Sequence, residues 1–175
     1  MRNVITEIYK KHVKKSTIVL KMNEITYIPL GNIVDTSILS PCVGVVIHDG
    51  GGQRAYAGHF PNPQEYGVLE RLLKESLSKL GDSKKLDVYI AGISTDEENP
   101  DLSNRYTVYE LENREFVISL LKKYGFQDFR THIKWTPKPG CCSCLKLDVD
   151  SGKNEYILFE NSIKKPLYRG DIKKA

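Results

Sequence analysis

Hydrophobic and polar positions along the chain switch between two periods. Val4, Ile5, Ile8, Tyr9 and Val13 recur at helical spacing and end in Lys14 and Lys15, cations suited to a helix C-terminus, which predicts an amphipathic N-terminal helix over residues 3–15. From Ser16 to Leu30 the period falls to two. Ile18, Leu20 and Met22 share one face, and Asn23 and Glu24 form a turn before ITYI, so the pattern predicts a strand pair. The segment GNIVDTSILSP then reads as a loop, because Pro41 pushes Ser40 out of helical geometry. After Cys42 come VGVVIH, the glycine-rich turn DGGGQR and AYAGHF, a β-hairpin pattern.

Further along, PNPQEYG is a turn, and Leu69, Leu72, Leu73, Leu77 and Leu80 line one face of a helix over 66–80 that Gly81 caps. KLDVYIAGI, residues 85–93, is a strand, and STDEENPDLSN is an acidic surface loop. Phe116, Val117, Leu120, Leu121 and Tyr124 point inward from a second helix over 113–124, closed by Gly125. Strands follow at 129–135, 143–150 and 155–160, the last two joined by the turn DSGKN. Residues 168–175 read as a tail free to fray. The pattern is that of an α+β protein, a mixed β-sandwich flanked by helices, in a single domain with its core over about 16–162.

Composition narrows the function classes. A chain of 175 residues with 40% hydrophobic content suffices for one domain with a real core. The net charge of +4 is dispersed in lysine pairs such as Lys84 and Lys85 or Lys122 and Lys123, without the basic stripe and interleaved aromatics of a nucleic-acid binder. Nothing reaches the length of a membrane span, and residues 1–15 lack the apolar stretch of a secretory signal, so a cytoplasmic location is expected. Cys42 stands alone, while Cys141, Cys142 and Cys144 crowd together, a distribution unlike a disulfide framework and suited to a reducing compartment.

The candidate chemistry centres on Cys42. If the two strands pair across the turn between Asp49 and Arg54, Cys42 at the head of the first lies near His59 at the end of the second, and a thiol can meet an imidazole. A cysteine amid apolar residues is also a small buried hydrophobe, and a lone histidine is commonly structural. His48 lies six residues from Cys42, about 20 Å along an extended strand, too far to be its partner. Two rivals use other residues. Cys141, Cys142 and Cys144 could bind zinc, although they lack CxxC spacing. A papain-type arrangement would pair Cys42 with His132 and with Asn154 or Asn161.

The stretch T36-S-I-L-S-P-C42, VGVVIHD, GGG and AGH59 resembles the chemoreceptor glutamine deamidases of the CheD family. Threonine stands 42 − 36 = 6 residues before the cysteine and histidine 59 − 42 = 17 after it, the spacing of that family. LDVYIAGIS, ENREFVISLLKKYGF and CLKLDVDSGKNEYILF are similar to its strand, its Asn-Arg helix and its closing hairpin, so the resemblance runs from about Gly31 to Glu160. The pattern Leu39, Ser40, X, Cys42 also resembles the toxin deamidases of the cytotoxic necrotising factor and Burkholderia lethal factor type. Pro41 stands where the family has a small residue, Gly58 where it has alanine, and Met-Leu-Pro is missing after His59.

The resemblance implies a CheD-like deamidase fold and hydrolysis of a protein glutamine side-chain amide to glutamate, with Cys42 as nucleophile, His59 as base, and Thr36 orienting the histidine through its hydroxyl or its carbonyl. Ser40, Pro41 and Gly58 would flank the substrate or the oxyanion. It implies no metal and no organic cofactor. The expected partners are a glutamine-bearing protein substrate and a regulatory protein, without nucleic acid or membrane insertion. Alternatives are a secreted toxin or effector-type deamidase acting on a host protein, and a non-catalytic binding module on the same scaffold. Catalysis further requires a cleft open to an amide beside the pair.

Overall fold

The computed structural model describes residues 15–39, 41–94, 100–138, 140–160 and 163–172. The expected helix over 3–15 lies outside them except for Lys15. Among the described residues, ten strands form two five-stranded mixed sheets. One runs in the order β1 (Ser16–Val19), β3 (Asn32–Asp35), β8 (Cys141–Asp148), β9 (Asn154–Glu160), β10 (Ile163–Gly170). The other runs β2 (Glu24–Ile28), β5 (Arg54–Phe60), β4 (Val43–Asp49), β6 (Asp87–Ser94), β7 (Thr131–Thr136). Two α-helices, α1 (Val68–Leu80) and α2 (Arg105–Lys123), and three short 3-10 turns complete the regular structure of the described residues.

Alternation along β4 and β5 explains how the layers assemble. Val43, Val45, Ile47, Tyr56 and Phe60 face the helices and join one core cluster with Leu69, Leu72, Leu73, Val117, Leu120 and Leu121. Val46, Ala55 and Ala57 point the other way and pack with Val34, Leu145, Leu147 and Tyr156 of the facing sheet. Helices therefore cover one sheet, and its other face closes the sandwich. That layering is the α+β arrangement expected from the pattern.

Several expectations are corrected. The segments β1 and β2 do not pair: β1 lies parallel to β3 in one sheet, and β2 is antiparallel to β5 in the other. The chain crosses between sheets at residues 20–23. Leu20 donates its N–H to Asp35 O on one side, and Asn23, at φ 62°, donates its own to His59 O on the other. Part of the expected loop before Cys42 is β3, paired to β8. The expected tail is not free over its described part, residues 168–172. Residues 163–170 form β10 against β9, and Ile172 is buried with its N–H bonded to Asn154 Oδ1 at 2.7 Å.

Helix α2 starts eight residues before the apolar pattern does, at the Asn104 cap whose side chain accepts from the Tyr106 N–H. The missed stretch buries Thr107 and Glu110, polar residues that apolar periodicity cannot detect, and Asn113 and Arg114 at the start of the expected span are buried as well. If the C-terminal segment is anchored as described, Ile172→Ala lowers stability by about 2–3 kcal/mol, read as a lower urea midpoint at unchanged slope. A change within about 0.5 kcal/mol would mean that the segment contributes as little as a frayed end.

Candidate active site

The hairpin places the candidate residues. Antiparallel pairing of β4 with β5 sets Gly44 opposite His59 and Val43 opposite Phe60. Cys42, two residues before Gly44, shares its face and joins the cluster between the sheets. Cys42 and His59 are then diagonal neighbours, with Cα atoms about 7–8 Å apart, a gap that a thiol and an imidazole leaning together can close. Between them lies Gly44. A β-carbon there would stand 2.8 Å from Thr36 Cγ2 and 2.9 Å from Leu39 Cδ1, so the missing side chain is the space that Thr36 occupies. Glycine near the start of β4 thus leaves room for Thr36 beside Cys42 and His59.

Thr36 acts through both of its oxygens, and the two have different tasks. Its N–H donates to Leu145 O at 2.9 Å as a strand partner would. The return bond does not go to its carbonyl: Leu145 N–H donates to Thr36 Oγ1 at 2.9 Å. The hydroxyl thereby stands in for the carbonyl in the ladder. Ser37, at φ 63°, turns the next peptide away, with its N–H held by Asp35 Oδ1 at 2.8 Å. The released Thr36 carbonyl faces the ring of His59, where it favours the protonated form.

His59 is 4% exposed, and neither ring nitrogen has a formed hydrogen bond among the described residues. The Thr36 carbonyl is near enough to act electrostatically without bond-forming geometry. Burial outweighs it and holds the imidazole below its ordinary 6.5, hence neutral and ready to accept a proton near pH 7. Burial of the ring with so little bonding is costly to a fold.

The backbone of Cys42 is fixed from the other side. Its carbonyl accepts the Ile93 N–H at 3.0 Å, beside an irregularity in the pairing of β6 with β7 between Gly92 and Ser94. Gly92, at φ 114°, lies so close that a β-carbon would overlap the Cys42 carbonyl oxygen. Arg114 reaches in from α2, donating through Nη2 to Ile93 O at 2.9 Å and Thr136 O at 3.2 Å, with its guanidinium 5.1 Å from the centre of the Trp135 ring. Tyr106, Glu110 and Arg114 follow one another at one-turn intervals on this face of α2.

Other candidates sit elsewhere. Ser40 lies outside the described residues, and Pro41 is exposed next to Cys42. Gly58 faces the helices, where a β-carbon would meet the Phe60 ring, so side-chain alternation turns it away from the pair. His48 Nε2 is bonded to Val149 O at 2.9 Å. His132, stacked on Tyr89, pairs beside the level of Val46, four residues or about 13 Å along β4 from Cys42, which removes the papain-type arrangement. Asn154 is committed to Ile172. Cys141, Cys142 and Cys144 are buried in β8. Burial and the neighbouring Asp35 carboxylate, 3.1 Å away, push the Cys144 thiol far above its ordinary range. No group of three or more His, Cys, Asp or Glu side chains among the described residues could hold a metal ion.

Among the described residues Cys42 and His59 are both enclosed, where an open cleft was expected. Cys42 is 4% exposed and Thr36 fully buried, because Thr36 and Leu39 pack down over Gly44. Three clefts of about 210, 440 and 410 Å³ are lined by other residues. Sequence reasoning also passed over Gly44, Gly92, Tyr106 and Glu110. The two glycines inside apolar strands were the available signal. No family model matches the chain, and no curated protein matches it. No helix among the described residues is long and apolar enough to cross a membrane.

Exchange of the Thr36 hydroxyl provides a direct check. Thr36→Val leaves the Leu145 N–H without its acceptor and lowers stability by about 1–3 kcal/mol in urea unfolding, whereas Thr36→Ser retains most of it. Equal midpoints for Val and Thr would show that the hydroxyl does not complete the ladder.

Proposed function

We propose that the chain is a thiol amidohydrolase that converts a protein glutamine side chain to glutamate with release of ammonia. The observation supporting this reading is the register that makes Cys42 and His59 diagonal neighbours on one face of the β4–β5 pair, with the Thr36 backbone beside the His59 ring. The target, by the resemblance in sequence, is a chemoreceptor.

His59 takes the Cys42 proton, and the thiolate adds to the carboxamide carbon. The backbone N–H of Cys42 is the donor that covalent geometry keeps nearest the oxyanion formed there. Collapse of this intermediate breaks the C–N bond while the imidazolium gives its proton to the departing nitrogen, so ammonia leaves and a thioester remains. His59 next deprotonates water, whose attack on the thioester releases glutamate and restores the thiol. The Thr36 carbonyl stabilises the imidazolium in both halves. No electron changes hands.

Enclosure of the pair means that its surroundings must part for a glutamine side chain to enter. Exposed Pro41, next to Cys42 in sequence, and half-exposed Tyr106, within electrostatic reach of it, are surface positions near the pair. The same enclosure favours a second reading, a binding module that keeps the scaffold without turnover. Toxin or effector-type deamidation would use identical chemistry on another protein.

Incubation with chemoreceptor signalling domains, followed by intact-mass measurement and ammonia assay, separates these readings. The expected outcome is a mass gain of about 1 Da per site, lost by at least about 10³-fold in Cys42→Ala and in His59→Ala. Since the working base is neutral His59, kcat/KM falls as pH drops through a midpoint below the ordinary 6.5. Turnover that persists in Cys42→Ala would refute the thiol mechanism, and no turnover on any glutamine-bearing protein favours the binding module.

A further inference from the structure

Helix α2 grips the Cys42 region from two sides, and one of its buried groups is left unused by the mechanism above. Arg114 bonds Ile93 O, and Ile93 N–H in turn bonds Cys42 O. Asn113 Oδ1 accepts from Gln64 Nε2 at 2.9 Å, tying the helix to the segment that follows His59. Tyr106, two turns before Arg114, lies within electrostatic reach of Cys42 and donates its hydroxyl proton to Glu110. Glu110 stands midway between Tyr106 and Arg114 on this face. Its side chain is buried at 2% exposure, and Oε2 has no hydrogen-bond partner among the described residues.

An unbonded oxygen on a buried carboxyl group is expensive to keep. Burial raises the Glu110 carboxyl to about 7, while the Tyr106 bond and the Arg114 charge oppose that rise. A primary carboxamide entering a dry site brings two N–H donors that need acceptors. The Thr36 carbonyl is turned to His59 and does not supply them. We infer that Glu110, through Oε2, accepts an N–H of the substrate carboxamide beside Cys42, with Tyr106 positioning it, and so selects primary amides over esters and acids. A site built around such a bond rejects an analogue without the donor, because the buried acceptor is then left unpaired.

This deepens the amidohydrolase reading and rests on it only in taking Cys42 as the reacting atom. Its test does not need turnover. Alkylation rates of Cys42 are measured with iodoacetamide, which carries the –NH2 group, and with methyl iodoacetate, which has a similar size and no N–H. Each rate is divided by that of glutathione, and the Cys42→Ala background is subtracted.

The expected normalised preference for iodoacetamide is about tenfold in the wild-type protein and falls to near one in Glu110→Leu. Tyr106→Phe, at a half-exposed position that tolerates the change, lowers the preference about threefold and decides the matter if Glu110→Leu does not fold. An unchanged preference in folded variants overturns the assignment, as does a Cys42 that reacts with neither reagent. Absence of deamidation leaves the ratio readable, so the two ideas fail separately.

Discussion

Antiparallel pairing of β4 with β5, in the register that puts Gly44 opposite His59, is the constraint on which the site depends. A slip of one residue would send His59 to the helix side, where Tyr56 and Phe60 pack, and leave Cys42 facing a different neighbour. Two features pin the register. The turn is closed by Asp49, whose carboxylate accepts from Gly52 N–H at 3.0 Å and pairs with Arg54 at 3.0 Å. Every apolar residue of both strands also has a buried place on its own face, so a shifted pairing would bury His59 among leucines.

Around this pairing the backbone departs from regular geometry where function would need it. Ser37 and Ile93, both at positive φ, flank the candidate site on opposite sides. For β-branched Ile93, at φ 44°, the conformation is a real cost, held in place by its N–H bond to Cys42 O and its carbonyl bond to Arg114. Ser37 performs the complementary task of freeing one carbonyl. Threonine suits position 36 because its hydroxyl can replace that carbonyl in the ladder, so the sheet stays intact while the carbonyl turns to the imidazole. The carbonyl and the hydroxyl are both in use, for different partners.

Local patterns made much of this legible. The β4–β5 hairpin, the leucine face of α1, β6 and the closing hairpin all follow from periods and turns within a dozen residues. What stayed hidden was set by distant partners. Alternation alone cannot say that β1 and β2 belong to different sheets, because each finds its mate 16 or more residues away, in β3 and β5. The first turns of α2 were missed because they bury Thr107 and Glu110, polar side chains that apolar periodicity does not register. Of the candidate residues, Cys42 and His59 lie diagonally across the β4–β5 pair, with Thr36 packed on Gly44 beside them. Gly58 turns away because side chains alternate along β5, and the enclosure of the pair arises from Leu39 and Thr36 packing over Gly44.

Coupling between Cys42 and His59 is the central requirement of the proposed chemistry, and the pH profile of Cys42 alkylation measures it most directly. With His59 as its partner, the thiol reacts with a midpoint well below the ordinary cysteine value of about 8.5, and in His59→Ala the midpoint returns to about 8.5 or higher. Superimposable profiles for the two proteins would contradict the claim that the imidazole serves this thiol.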